Sequence, residues 1–222
     1  MRLWSNSLNG AKCGIMVKLI LASASPKRLE LLRQIGIQPD LVFPTDVDET
    51  PLARERPREL ANRLARLKLA TAIDLLDNHK NQEDYHEAVI ITADTVVSVG
   101  RRILPKATTI EECLYCLNMI SGVTHRVRTA VVVSRRSSNK AKVRITETRV
   151  TFKRLSTEEM QFYVDSNEWS GKAGGYSIHG IASGFIVKIV GSYNGVSGLP
   201  LVETKALIEG EGYCFHRGII DR

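Results

Sequence analysis

Ser23, Ser25, Lys27 and Arg28 fall within six residues, directly after the apolar run from Val17 to Ala22 and around Pro26. Hydroxyls and cations at this spacing suit an anion, phosphate above all. Leu29 and Leu32, with Ile35 after them, repeat at helical spacing, so the segment reads as strand, tight loop and helix N-terminus. Ser25 suits the N-cap, its oxygen accepting from an orphan backbone N–H, and Pro26 suits the first helical position. Such a terminus presents partial positive charge and free donors. The same residues also describe an ordinary capped helix with two solvated cations, and the segment alone does not decide between them.

Three acidic residues bear on the same question. Asp94 stands between two mostly apolar runs, Ala88 to Ala93 and Thr95 to Val99. A carboxylate so placed is partly desolvated, which raises its pKa unless a cation or metal is near. It reads as a general base or metal ligand, or as a satisfied structural Asp. Asp48 and Glu49 follow a loop and precede Pro51; acidic turns are common, and alone the pair says little. Lys68 and Lys106 are each compatible with a solvated lysine, but Lys106 follows the Asp94 strand across a short turn. Together the groups are coherent. Carboxylates hold Mg²⁺ or Mn²⁺, lysines and arginines neutralise a polyphosphate, and a carboxylate activates water for in-line attack.

Other nucleotide and hydrolase machinery is missing from the chain. There is no G-x-x-x-x-G-K-[ST], no G-x-G-x-x-G after a strand, no G-x-S-x-G and no H-E-x-x-H. Cys113-x-x-Cys116 sits inside the amphipathic pattern Ile110, Cys113, Leu114, Leu117, Ile120, without a second Cys/His pair at ligand spacing, and reads as core. His179 lies among glycines, where a hydrogen-bonded loop histidine is the ordinary expectation.

The elements that must position these groups alternate between strand and helix. A helix from Pro26 to about Ile35 is closed by Gly36. Another starts near Pro57 with Leu60, Ala61, Leu64, Ala65 and Leu67 as its apolar positions and Arg58, Arg63, Arg66 and Lys68 around them. Residues 77–87 read as a polar loop. Thr109-Ile-Glu-Glu112 and Ser156-Thr-Glu-Glu159 are capping boxes, opening helices that run to about Gly122 and Val164. Arg126–Ser134 and Val143–Phe152 read as strands, and Pro200 begins a last helix to about Glu209. Eight of the 16 glycines lie between Gly171 and Gly198, a density that suggests backbone approaching a ligand or several tight turns. The order predicts a mixed α/β fold.

The 222 residues, 43% hydrophobic and 25% charged, suit a soluble globular protein, and no apolar run approaches the roughly 18–20 residues of a membrane span. Residues 1–15 are polar and non-periodic and read as an N-terminal extension, disordered or non-native; residues 16–222 read as one domain. No signal-peptide core is present at the N-terminus, and the cysteine usage suits a reducing setting, so a cytoplasmic location is expected. The formal charge of +7 favours anionic partners, but with only 6% aromatics there is no base-stacking pattern. A solvated basic surface is expected, binding neither nucleic acid nor membrane.

Several segments together resemble the Maf family of nucleoside triphosphate pyrophosphatases. They are Leu19-Ile-Leu-Ala-Ser-Ala-Ser-Pro-Lys-Arg28, Asp48-Glu-Thr50, Arg63-Leu-Ala-Arg-Leu-Lys68 and Ala93-Asp-Thr-Val-Val97, then Lys172-Ala-Gly-Gly-Tyr176, Ile178-His-Gly180 and Gly191-Ser-Tyr-Asn-Gly-Val-Ser-Gly-Leu-Pro-Leu201. The resemblance implies an elongated mixed β-sheet flanked by helices with a central cleft, paired as a homodimer. It implies hydrolysis between the α- and β-phosphates of a nucleoside triphosphate, with Mg²⁺ or Mn²⁺. Ser23, Ser25, Lys27, Arg28, Lys68 and Lys106 would hold phosphates. Glu49 and Asp94 would carry the metal, Asp94 would activate water, and Thr95 and His179 would lie near the base. The Asp-Thr pair and the Gly-Tyr-x-Ile-x-Gly segment look like the branch acting on dTTP and UTP. A non-catalytic nucleotide-binding regulator of cell division and a pyrophosphatase for a modified purine nucleotide are the alternatives. The chain departs from the family at Lys27, where many members have Arg; at His179, where the pyrimidine branch has Gln; and at Ala107, where Pro is usual.

Overall fold

A computed structural model describes residues 17–78, 82–138 and 140–214. The N-terminal extension read from the sequence lies outside the described residues. The chain opens with strand β1 (Leu19–Ala22), helix α1 (Pro26–Gln34), strand β2 (Leu41–Phe43) and helix α2 (Pro57–Asp77). Gly36, at φ +75°, closes α1 as its position suggests, because a residue there must be left-handed. A 3-10 turn at Gln82–Tyr85 leads into β3 (Val89–Val99), β4 (Arg102–Leu104), β5 (Lys106–Ala107) and α3 (Ile110–Ile120). Then come β6 (Thr124–Arg135), β7 (Lys142–Phe152), α4 (Thr157–Asp165), β8 (Lys172–Ala173), a 3-10 turn at Ile181–Phe185, β9 (Ile186–Val190), α5 (Tyr193–Val196) and α6 (Leu201–Glu209). Pro200 is the N-cap of α6 rather than its first residue.

The fold is a large mixed sheet flanked by helices. Its order is β2-β1-β3-β6-β7-β9, with β4 folded back on β3. β1 runs parallel to β2 and β3, and the pairs β3–β6, β6–β7 and β7–β9 are antiparallel. β5 and β8 form a separate two-stranded ribbon, with Lys106 opposite Ala173. Both capping boxes form: Thr109 Oγ1 accepts from Glu112 N at 3.3 Å and Ser156 Oγ from Glu159 N at 3.2 Å.

The two apolar runs around Asp94 are one strand, not two. Its alternation sorts its residues by face. Val89, Ile91 and Ala93 pack with Leu31 and Leu32 of α1 and Leu207 and Ile208 of α6. Ile90 and Val96 pack with Leu60, Leu64 and Leu69 of α2. Asp94 shares the second parity and so meets α2. Of the apolar positions expected on α2, Leu60, Ala61, Leu64 and Ala65 are buried and one differs. Leu67 is 39% exposed, while Lys68 is buried, in line with Leu60 and Leu64 at four-residue spacing. The CxxC cysteines are buried in a third cluster around Phe152 and Tyr163, and burial pushes Cys113 up to about 11 and Cys116 to about 12.

In that cluster His125 is fully buried, edge-on to Phe152 and Tyr176, with Nε2 2.8 Å from the Tyr176 hydroxyl. Burial pushes its imidazole down to about 4. In the unfolded chain the group titrates near 6.5. Between those values the unfolded chain binds a proton that the native state refuses, so stability falls on acidification, by about 3 kcal/mol at pH 4. Denaturant unfolding at pH 7, 5.5 and 4.5 should show a shallower acid loss for His125→Phe than for the parent. Parallel profiles would show that His125 is not the source.

Candidate active site

All ten residues singled out in the sequence line one cleft of about 630 Å³. β1 delivers the first of them. Its last residue, Ala22, leads into Ser23, whose Oγ accepts from Ser25 N at 3.2 Å and from Arg28 Nη1 at 3.1 Å. The expected side-chain cap does not form: Ser25 occupies the N-cap, but its hydroxyl makes no capping bond. Ser23 does the local fastening instead, which leaves the Ser25 hydroxyl for the cleft. Arg28 is no solvated cation. It is buried, and Nε donates to Gly198 O at 2.8 Å, tying α1 to the loop before α6. Burial holds its pKa below the ordinary value, against the pull of Asp94 and Glu49. Lys27 is paired with Glu30 at 2.6 Å, a carboxylate on the cleft wall that the sequence reading missed.

The centre of the site is an ion network. Asp94, 1% exposed, receives Lys68 Nζ on Oδ1 at 2.5 Å. The same ammonium reaches Glu49 Oε1 at 2.7 Å, and Lys106 Nζ meets Glu49 Oε2. Burial drives the Glu49 carboxyl upward, but the two lysines outweigh it and hold it below the usual carboxylate range. Asp48 stays outside the network. Its Oδ1 accepts from Thr50 N at 2.9 Å, shaping the loop. Arg63 fixes that loop to α2, donating to Thr50 O at 3.0 Å and forking onto Glu55 at 2.7 and 2.9 Å.

Lys106 comes from the β5–β8 ribbon, and glycine makes the ribbon possible. Gly174 and Gly175 have φ of +70° and +67°. A Cβ on Gly174 would stand 2.7 Å from Val97 Cγ1, and one on Gly175 2.9 Å from Cys116 Cβ. The glycine density thus reflects tight turns against β3 and α3, which bring residues 172–179 to the cleft.

Thr95 has the opposite parity to Asp94. Its hydroxyl lies 2.9 Å from that of Thr129, which donates to Gly195 O at 2.7 Å. His179 stands at the cleft wall with Nδ1 2.9 Å from the Tyr193 hydroxyl. Burial and then the Lys27 charge hold its imidazole below the ordinary value, so it is neutral at pH 7. Tyr193 and Arg63 are further residues given no role from the sequence, although both lie within quoted motifs.

Among the described residues no group of three or more His, Cys, Asp or Glu could hold a metal ion. The donors present are Glu49 and Asp94, with the Lys68 ammonium standing between them. Two hard carboxylates fit Mg²⁺ or Mn²⁺ only where substrate oxygens complete the shell, which is how Mg²⁺ is often bound. No helix among the described residues is long and apolar enough to cross a membrane.

Comparison with known proteins places the chain in a family. The family model described as "Maf-like protein" matches residues 18–211. A dTTP/UTP pyrophosphatase of Mesorhizobium japonicum is 50% identical over 91% of this chain and 96% of its own length. Proteins of the same name from Rhodopseudomonas palustris (strain HaA2) and Bradyrhizobium diazoefficiens are 54% and 53% identical, each over 90% of this chain and over 95% and 94% of their own. Among solved structures, a HAM1 protein from Coxiella burnetii aligns with 63% of this chain and 75% of its own at 13% identity and a TM-score of 0.40, too low to bear on the assignment. The family match spans every residue of the cleft, from Ser23 to Gly198, and the chain belongs to the Maf family.

Proposed function

We propose that this chain hydrolyses dTTP and UTP between the α- and β-phosphates, releasing the nucleoside monophosphate and pyrophosphate. One observation carries the reading: Arg28, Lys68, Lys106, Glu49 and Asp94 meet in a single cleft, with the most buried carboxylate held by a lysine. The named relatives supply the choice of nucleotide.

In this reading Lys27, Arg28, Lys68 and Lys106, with the Ser23 and Ser25 hydroxyls, neutralise and orient the triphosphate. Asp94 takes a proton from a water whose oxygen attacks the α-phosphorus. The bond from that phosphorus to the α–β bridging oxygen breaks, and pyrophosphate carries away the electron pair. Glu49 and Asp94 would hold the divalent ion, which when bound offsets charge on the phosphate oxygens. Since Lys68 occupies the space between them, the substrate's arrival must loosen the Lys68–Asp94 pair for Asp94 to act as base. Thr95 and His179 face the nucleoside. The two free thiols buried in the core suit a cytoplasmic enzyme, and a homodimer is the expected assembly.

The test is a product assay over common and methylated nucleoside triphosphates, with Mg²⁺, with Mn²⁺ and with chelator. Monophosphate and pyrophosphate from dTTP and UTP, lost on chelation, are expected. Release of inorganic phosphate instead would overturn the reading. So would protection against unfolding by UTP with no product over hours, the behaviour of a non-catalytic binder.

A further inference from the structure

Resting on the cleft's reading as a nucleoside triphosphate site, we propose that Arg63 is a positioning residue that clamps the loop carrying Glu49 and holds that carboxylate for the divalent ion once substrate phosphates have taken its lysines. Glu49 stands on the long connection between β2 and α2, residues 44–56. Among the described residues, the one backbone bond within that loop runs from Glu55 N to Leu52 O at 3.0 Å. Side chains therefore set where the loop lies. Glu49 itself supplies one attachment, meeting Lys68 at 2.7 Å and also Lys106. Arg63 supplies the other. Its Nε and Nη2 fork onto Glu55 at 2.7 and 2.9 Å, and Nη2 also donates at 3.0 Å to Thr50 O, the carbonyl of the residue after Glu49.

The clamp is well built. The Glu55 side chain is 7% exposed and takes a further bond from Leu52 N at 3.0 Å. The Arg63 guanidinium holds its carboxyl below the usual carboxylate range, so the pair stays charged. The turn between Leu52 and Glu55 passes through Arg54 at φ +62°, a left-handed conformation that a non-glycine residue keeps only where its surroundings hold it. Arg63 and Lys68 ride on the same helix, so one rigid element references both the loop and the ammonium between the two carboxylates. The two attachments matter at different times. In the ligand-free cleft Glu49 fastens the loop through its lysines. A triphosphate competes for those lysines, and Glu49 gives them up. Arg63 is then the loop's remaining hydrogen-bonded attachment to α2. A carboxylate on a released loop must be ordered again before it can serve the ion, and that lost freedom weakens the loaded complex. Arg63 keeps the loop ordered throughout. Lysine cannot replace it, because an ammonium is a point charge and does not fork onto Glu55 while reaching Thr50 O.

Calorimetric titration with a UTP analogue carrying methylene in place of the α–β bridging oxygen tests the clamp without turnover. With Mg²⁺, Arg63→Ala should bind the analogue about 10- to 100-fold more weakly than the parent, the value of one charge-assisted hydrogen bond. With chelator Glu49 has no ion to hold, and the two proteins should agree within about threefold, which also shows the variant to be folded. A general loss of structure would weaken both arms alike. Arg63→Lys should show most of the same loss with Mg²⁺. In a Glu49→Gln background, adding Arg63→Ala should change the Mg²⁺ arm by less than about threefold. Equal affinities with Mg²⁺, equal losses in both arms, full binding by Arg63→Lys, or an undiminished loss in the Glu49→Gln background overturns the proposal. If the parent shows this Arg63 dependence yet releases no pyrophosphate from UTP, the pyrophosphatase reading fails and the clamp stands. If it releases pyrophosphate and Arg63→Ala loses nothing with Mg²⁺, the clamp fails and that reading stands.

Discussion

Asp94→Asn is expected to lower kcat for pyrophosphate release by about 10³-fold, within the range that a positioned general base supplies. The replacement keeps the shape of the side chain and an oxygen for Lys68, but an amide cannot take a proton from water. The lysines and the arginine that bind the phosphates are untouched, so at saturating divalent ion KM should not rise. A loss confined to kcat is the signature of an interaction made only in the transition state. Steady-state kinetics with UTP and dTTP, beside a thermal melt showing that the variant is folded, make the measurement. Unchanged turnover would remove Asp94 from the chemistry, and a KM effect alone would make it a binding residue.

The same carboxylate shows what local patterning can and cannot reveal. Asp94 read as a break between two apolar runs because a charge seldom continues a buried strand. It continues this one because Lys68, 26 residues earlier, meets it across the α2–β3 contact. A partner at that separation leaves no local trace. Lys68 itself left one: it continues the Leu60, Leu64 series at four-residue spacing, and a lysine in an apolar stripe asks what buried anion it faces. Helix starts at Pro26, Thr109 and Ser156 were legible because capping chemistry is confined to a few residues. β2, β4, β5 and β8 span two or three residues each, too short to carry an alternation, and the β5–β8 ribbon depends on turns at Gly174 and Gly175.

Side-chain roles were less legible than side-chain membership. The ten candidate residues do share one cleft, yet sequence could not say that Arg28 is bonded to Ser23 and Gly198, or that Lys27 is paired with Glu30. Those bonds decide which cations remain available to substrate. Arg28 orders the cleft before any ligand arrives, whereas Lys27 must be shared with Glu30. A pre-arranged guanidinium costs less to use at the transition state than a cation that must first be freed.

Lys68→Met carries the largest expected cost in stability. Methionine fills the lysine stem's volume with an unbranched chain, so no cavity is left where the stem was buried. What disappears is the ammonium between Asp94 and Glu49. Asp94, its side chain 2% exposed, would then be a buried anion without its 2.5 Å partner. Removing one member of a buried pair typically costs about 3–5 kcal/mol, because the remaining charge is left uncompensated. Arg28 is a poor substitute, already committed to Ser23 and Gly198. Urea unfolding should therefore show Lys68→Met several kcal/mol below the parent, and the same change in an Asp94→Asn background should cost markedly less, since the buried anion is gone. Equal costs in the two backgrounds would mean that Lys68 stabilises the fold through its stem alone. The central ion pair would then be incidental to the cleft, and with it the assignment of Lys68 as the cation that holds Asp94 in place.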